Sequence, residues 1–147
     1  MASTNVIQLN EVIESLRIDA EFYQEIHREI HRELSGIDHV LFGEIIEVCK
    51  KGIFDIKADN YSDEGIPFIR ISNLKKGVID DTNLAFIPQD IHDSEIKTEF
   101  RRDDIVLSKT AIPASSLINF EICNISQDII GISLKPSIQN LLNEKYI

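Results

Sequence analysis

No run of about 18 apolar residues, the length a membrane-spanning helix needs, occurs in the 147-residue sequence. Nor is there a basic and then apolar leader ending in small residues, so a cytoplasmic protein without membrane contact is expected. Cysteine is scarce. Cys49 and Cys123 stand far apart, each within an apolar run, which suits buried reduced thiols better than a bridge. Positive charge is also short: 15 Lys and Arg face 25 Asp and Glu, for a net charge of −10. The deficit is general, since residues 1–60 carry 12 acids against 6 bases and residues 61–147 carry 13 against 9. Phosphate contact would therefore need cations gathered on one face, from groups such as Lys50 with Lys51, Arg70 with Lys75 and Lys76, and Arg101 with Arg102. Glycine-rich dinucleotide loops, phosphate-cradling Gly-Lys-Ser/Thr loops, Gly-x-Ser-x-Gly elbows and Asn-Pro-Pro-Tyr motifs are all missing, which removes the commonest sequence signals of catalysis. What remains, 43% hydrophobic and 27% charged without low-complexity stretches, describes a chain that folds as one globular domain.

The pattern of apolar residues changes once along the chain. From Glu11 to Leu34 they recur near helical spacing at Val12, Leu16, Ala20, Tyr23, Ile26, Ile30 and Leu34. Asp19 is a candidate cap and Gly36 a plausible stop, and Glu25, Arg28, Glu29, Arg32 and Glu33 form a polar face of alternating sign. After Val40 short apolar runs alternate with turn residues. Strands are expected at Glu44–Cys49, Pro67–Ile71, Asp104–Leu107, Ser116–Ile122 and Ile129–Leu134, with turns at Lys51-Gly52, Glu64-Gly65 and Lys76-Gly77. Gln89–Thr98 reads as a short helix or loop, and Ser137–Ile147 as the start of a further helix. The expected fold is α+β: an N-terminal helical segment, residues 1–36, leading into a compact strand-rich body, residues 37–147.

Two constellations could carry chemistry. His27 and His31 stand four apart on the expected helix, the spacing that sets two imidazoles on one face, but no third ligand is near in sequence. Asp81, Glu95 and Lys97 match the Asp…Glu-x-Lys order of magnesium nucleases, within a stretch rich in acids. The bland readings, an exposed helix face and chance, are preferred for both.

Several segments, in order, resemble the type I restriction-modification specificity subunit and the related recognition domains of fused restriction-methylation enzymes. Arg17-Ile18-Asp19-Ala20-Glu21-Phe22-Tyr23 is similar to a stretch that precedes such a domain, and Phe42-Gly43-Glu44-Ile45-Ile46-Glu47 to its opening strand. Gly65-Ile66-Pro67-Phe68-Ile69-Arg70-Ile71-Ser72-Asn73-Leu74, followed by Gly77-Val78-Ile79, resembles the family's Gly-x-Pro-aromatic-Ile-Arg block. Asp104-Ile105-Val106-Leu107-Ser108-Lys109-Thr110 resembles its Gly-Asp-Ile-Leu-Leu-Ser block, and Ile125-Ser126-Gln127-Asp128-Ile129-Ile130 its Ile-Ser-Gln-x-aliphatic strand. The sequence departs from the pattern at Asp103, where the family has glycine, and at Thr110-Ala111, where it has Thr-Gly. It stops at Tyr146-Ile147, where such domains continue, so a domain incomplete at its C-terminus, with its last helix truncated, is expected.

The resemblance implies a target-recognition domain that reads one half of a split DNA site for a partner adenine methyltransferase, without a catalytic centre or cofactor of its own. A restriction motor subunit and other copies of the chain are further expected partners. Candidate contacts to double-stranded DNA are Lys57, Arg70, Asn73, Lys75, Lys76, Ser108, Lys109 and Thr110, which lie in or beside expected loops and can donate or accept hydrogen bonds. For Arg70 a carboxylate partner is an equal expectation, and Asn73 is equally read as a turn residue. Tyr23, Ile26, Ile30 and Leu34 are the candidate contacts to a protein partner. An acidic interaction fragment that docks on a methyltransferase or oligomerises without touching DNA is the alternative, and a magnesium nuclease a third reading.

Overall fold

Asp19 divides the apolar stripe that was expected to form one helix. In the structure, a computed structural model that describes residues 6–19, 21–54, 56–110 and 113–139, that stripe belongs to two helices, α1 (Leu9–Ser15) and α2 (Glu25–Leu34). Ala20, expected in the stripe, lies outside the described residues. Leu16 closes α1 in the left-handed region, φ 55°, its amide donating to the Val12 carbonyl at 2.9 Å. The Asp19 carboxylate then accepts from the Phe22 amide (3.0 Å) and from Arg17 Nε (2.7 Å), a local turn that outcompetes continued helix. Arg28 pairs with Glu11 to tie α2 to α1.

The chain separates into two compact units, Met1–Leu41 and Phe42–Ile147. The second opens with a helical turn, α3 (Phe42–Ile45), so the strand expected from Glu44 begins two residues later as β1 (Ile46–Lys51). There follow β2 (Ile66–Ile69), the short hairpin β3 (Leu74–Lys75) and β4 (Val78–Ile79), and β5 (Ala85–Ile87). The ambiguous polar stretch becomes α4 (Gln89–Ser94) and a single 3-10 turn before β6 (Glu99–Arg101). The remainder is β7 (Ile105–Ser108), β8 (Ser115–Leu117), β9 (Ile122–Ile125), β10 (Ile129–Leu134) and α5 (Pro136–Gln139); residues 140–147 of the expected last helix lie outside the described residues.

The strands form two four-stranded sheets, β1-β10-β7-β8 and β5-β2-β9-β6, beside the β3-β4 hairpin. Every pairing is antiparallel except β2 with β9. The main core joins the sheets through Ile69, Phe100, Val106, Ile118, Cys123, Ile125 and Ile129. The second sheet is buried on its other face too, where Phe68, Ala85 and Ile87 pack with Ile53. Adjacent Phe68 and Ile69, both wholly buried, thus serve different cores, as the two-residue period of a strand requires. Gly131 in the middle of β10 is explained by Phe100, whose ring lies 2.3 Å from where a Cβ would sit.

Four further expectations are corrected. Ser116–Ile122 is not one strand: β8 ends at Leu117, and the chain crosses to the other sheet after burying Ile118. Lys51-Gly52 is not a reversal. Gly52 is glycine because a Cβ would fall 1.9 Å from the Ile125 carbonyl oxygen, and the chain runs straight on to bridge Ile53 with Ser126. The Ile125–Ile130 block is a strand end, a turn and a strand start rather than one strand. Cys123 is buried as expected, but Cys49 is exposed on the edge strand β1. Asp103, in the β6–β7 turn, has φ 71°, a left-handed geometry that glycine adopts at no steric cost and aspartate tolerates better than most residues.

Candidate nucleic-acid interface

Strand direction decides which loops can act together. β2 and β9 run parallel and finish side by side, with Ile69 opposite Ile125 and the Ser126 amide donating to the Ile69 carbonyl at 2.9 Å. In the other sheet β1 and β7 finish beside the start of β10, Lys51 opposite Ile130 and Ser108 opposite Ile129. Only Ser126, Gln127 and Asp128 separate β9 from β10, so the two sets of strand ends meet at one end of the unit.

Most of the sequence-derived DNA candidates stand at this end. Lys75 and Lys76 project from the β3-β4 hairpin, whose Gly77 amide donates to the Ser115 carbonyl at 2.8 Å, docking the hairpin against β8. Lys109 and Thr110 are exposed in the β7–β8 loop, and the Lys109 amide donates to the Asp128 carbonyl at 2.8 Å. Ser108 is half-buried at the foot of that loop, its hydroxyl accepting from the Ala114 amide at 2.8 Å. Between hairpin and loop lie two open clefts of about 520 and 410 Å³ that share Lys76, Pro113 and Ala114. Ser108 lines the larger and Lys75 the smaller. Ala111, the departure at the family's Thr-Gly turn, lies outside the described residues.

The neighbouring candidates are less accessible. Arg70 follows β2 and is half-buried; its Nη2 donates to the Asn83 carbonyl and its guanidinium lies 5.5 Å from the Tyr61 ring centroid. The carboxylate partner expected for it is absent among the described residues. Asn73 is corrected from contact to scaffold, because it is only 3% exposed and its amide is consumed by the Arg70 amide and the Asp80 and Asn83 carbonyls. Lys57 is exposed in the separate segment between β1 and β2.

Charge is sorted along the unit. Arg101 and Arg102, expected to join a basic face, sit at the opposite end and pair with Glu99 and Glu121, each at 2.7 Å. Among the described residues Lys51, Lys75, Lys76 and Lys109 have no carboxylate within 4.0 Å. Asp128, in the β9–β10 turn, is one nearby acid and Asp80 another. Hydrogen bonds from the Thr82 hydroxyl and amide hold its carboxyl below the usual range, and the charge of Lys75 lowers it further. Lys51, grouped from sequence with Lys50 for a basic face, and Gln127 in the β9–β10 turn were not among the named DNA contacts. Their position becomes visible only once the strand ends are fixed.

In the N-terminal unit, Ile26, Ile30 and Leu34 expose 56%, 46% and 55% of their surface along α2, leaving an unburied apolar stripe. Tyr23 does not share that role. Among the described residues of this unit it alone is buried, its hydroxyl bonded to the Arg17 carbonyl and to Ser15 Oγ, both at 2.6 Å. His27 and His31 line a cleft of about 690 Å³ with Glu11 and Glu14, but among the described residues no three His, Cys, Asp or Glu side chains are placed to hold a metal. The nuclease trio is divided between two places in the chain. Glu95 and Lys97 pair with each other at 3.2 Å, and Asp81 stands in the β4–β5 turn.

No protein-family model and no curated protein sequence matches this chain. Solved structures do. A chain from a structure of the type I R-M system, described for its complex assembly and conformational transition, superposes with a TM-score of 0.52 at 18% identity, covering 92% of this chain and 35% of its own length. The HsdS subunit from Thermoanaerobacter tengcongensis gives 0.50 with the same identity and coverage. This chain therefore spans about a third of the subunits it is similar to. Over nearly all of its length the α+β fold of this chain is similar to a part of those two chains, which come from type I restriction-modification systems.

Proposed function

We propose that the chain is a DNA sequence-recognition module of a restriction-modification system, reading one half of a split target for a partner adenine methyltransferase, with no catalytic centre or cofactor of its own. The observation that carries this reading is the convergence of the β3-β4 hairpin and the β7–β8 loop at one end of the strand-rich unit, where Lys75, Lys76 and Ser108 line two adjoining clefts and Lys109 and Thr110 follow Ser108 in the loop. Lysines there hold phosphates and fix register, while Thr110, with Ser108 and Arg70 behind it, supplies hydrogen-bonding groups for base edges. Lys57 is a further phosphate contact from the neighbouring segment. The stripe Ile26, Ile30 and Leu34 is the docking face for a methyltransferase or for another specificity helix, and a restriction motor subunit joins through that assembly. The module works in the cytoplasm; among the described residues no helix is long and apolar enough to cross a membrane.

The test is the salt dependence of duplex binding, measured by anisotropy of a labelled oligonucleotide. Each phosphate contact contributes about 0.9 to the slope of log K against log salt, so Lys75→Glu/Lys76→Glu/Lys109→Glu should flatten it by up to about 2.7. An unchanged slope would remove this face from the reading. The net charge of −10 and the apolar α2 stripe favour a second reading, an acidic fragment that docks on a methyltransferase or oligomerises. Capture by a methyltransferase with no salt-sensitive affinity for duplex would select it.

A further inference from the structure

Phe54 is 72% exposed, the most exposed large apolar side chain among the described residues of the strand-rich unit. It is presented by a rigid support. The Gly52 amide donates to the Ile129 carbonyl at 3.2 Å, and Gly52 packs so closely that a Cβ would overlap the Ile125 carbonyl. The Ile53 amide donates to that same Ile125 carbonyl at 2.8 Å, and the Ile53 side chain is only 5% exposed. The backbone is thus pinned to the β9–β10 turn up to the residue before Phe54, and the ring is directed into solvent from the same end of the sheets as Lys75, Lys76 and Lys109. Lys51 Nζ stands 5.7 Å from the ring centroid, so a cation and an apolar ring are offered together.

An isolated apolar side chain at a surface is ordinary. A ring held on a fixed strand end, beside a lysine and among further lysines with no carboxylate in reach among the described residues, matches a polyanion that also has apolar surface. Double-stranded DNA offers both, as phosphates along the rim of a groove and base edges and sugars within it. We infer that Phe54 enters a groove of the bound duplex and packs against base edges or sugars, while Lys51 holds the adjacent phosphate. This inference rests on the DNA-reading function proposed above and extends the contact surface to the end of β1.

The sequence contains no tryptophan, so Phe54→Trp installs a single tryptophan at the proposed contact, and Asn119→Trp, in the exposed turn between β8 and β9 at the other end, supplies the control. Each variant of the whole chain is titrated with a labelled duplex, following anisotropy for binding and tryptophan emission for contact. Emission from position 54 should change in step with binding, and emission from position 119 should not. Phe54→Ala should weaken binding by roughly fivefold or more, the lower end for losing one aromatic contact to a base, without the flattened salt slope expected of the lysine variants. If duplex binds while emission from the Phe54→Trp variant stays constant and Phe54→Ala binds normally, the ring faces away from DNA and the inference fails, while the DNA reading stands. Absence of any salt-sensitive binding defeats both.

Discussion

Replacing Asn124 by leucine tests how the second sheet is held to α4. Asn124 is wholly buried on β9, and its amide nitrogen lies 2.8 Å from Thr98 Oγ1 and 3.4 Å from the Glu95 carbonyl. Thr98 already donates its hydroxyl proton to Glu95, so both of these oxygens accept from Asn124. That fixes the carbonyl oxygen of Asn124 toward His92 Nδ1 at 2.7 Å, and this nitrogen must be the donor. Leucine preserves the volume but leaves the His92 N–H with no acceptor in a site only 3% exposed. Thr98 keeps its bond to Glu95 and loses only an incoming donor. One orphaned donor costs about 1–3 kcal/mol and one lost buried bond about 1 kcal/mol, so the expected loss is about 2–4 kcal/mol. Urea unfolding followed by circular dichroism measures it. The double variant His92→Leu/Asn124→Leu removes both partners and should lose less than the two single variants combined, by about 1 kcal/mol or more. An Asn124→Leu protein within about 0.5 kcal/mol of wild type, or strictly additive losses, would refute the accounting.

Burial pushes the Cys123 thiol up to about 12, whereas Cys49 is exposed, so a thiol-specific reagent in mildly alkaline buffer should titrate one cysteine in the native protein and two in denaturant. Asp103→Gly should stabilise the protein by up to about 1 kcal/mol in the same urea assay, because it relieves the left-handed φ of 71°; a loss would show that the aspartate side chain contributes more than its backbone strain costs. Desolvation raises the Asp104 carboxyl above its ordinary 3.8, against the opposing Arg101 amide hydrogen bond. The folded state therefore binds the Asp104 proton more tightly than the unfolded state. Its stabilising contribution is complete below 3.8 and is lost as pH rises through the raised folded value. Relative to Asp104→Asn, wild-type stability should decline over that window, and parallel pH profiles would contradict the assignment.

Of the strands that bury apolar residues, β10 was legible at both of its ends and β1, β2 and β7 to within two residues, because alternation and burial speak through the same side chains, whereas β5, β6 and most of β9 fell outside the expected strands. Lys76-Gly77 was legible for a related reason: its glycine has φ 80° in a hairpin turn. The misreadings have one cause. A tertiary neighbour or a local hydrogen bond overrode the periodic signal, as Asp19 did in the helical stripe and the close approach to Ile125 did at Gly52. Sequence also found the cations of the hairpin and the β7–β8 loop, since loop lysines are conspicuous. It could not separate Asn73, whose amide is spent on three backbone groups, from a residue free to meet a ligand. Nor could it join Lys51 to Lys109, which are 58 positions apart and become neighbours only through the antiparallel register of β1, β10 and β7.

The closed base of the β7–β8 loop makes that segment a cassette. Ser108 donates its amide to the Ala114 carbonyl and accepts the Ala114 amide on its hydroxyl, both at 2.8 Å, so the scaffold is complete at those two residues whatever lies between them. Residues 110–113, beyond the Lys109 amide that is bonded to the Asp128 carbonyl, can consequently be exchanged, lengthened or randomised at little thermodynamic risk to the sheets, because lengthening a surface loop adds only a slowly rising closure entropy. An engineer can install a new surface there without rebuilding the protein that carries it.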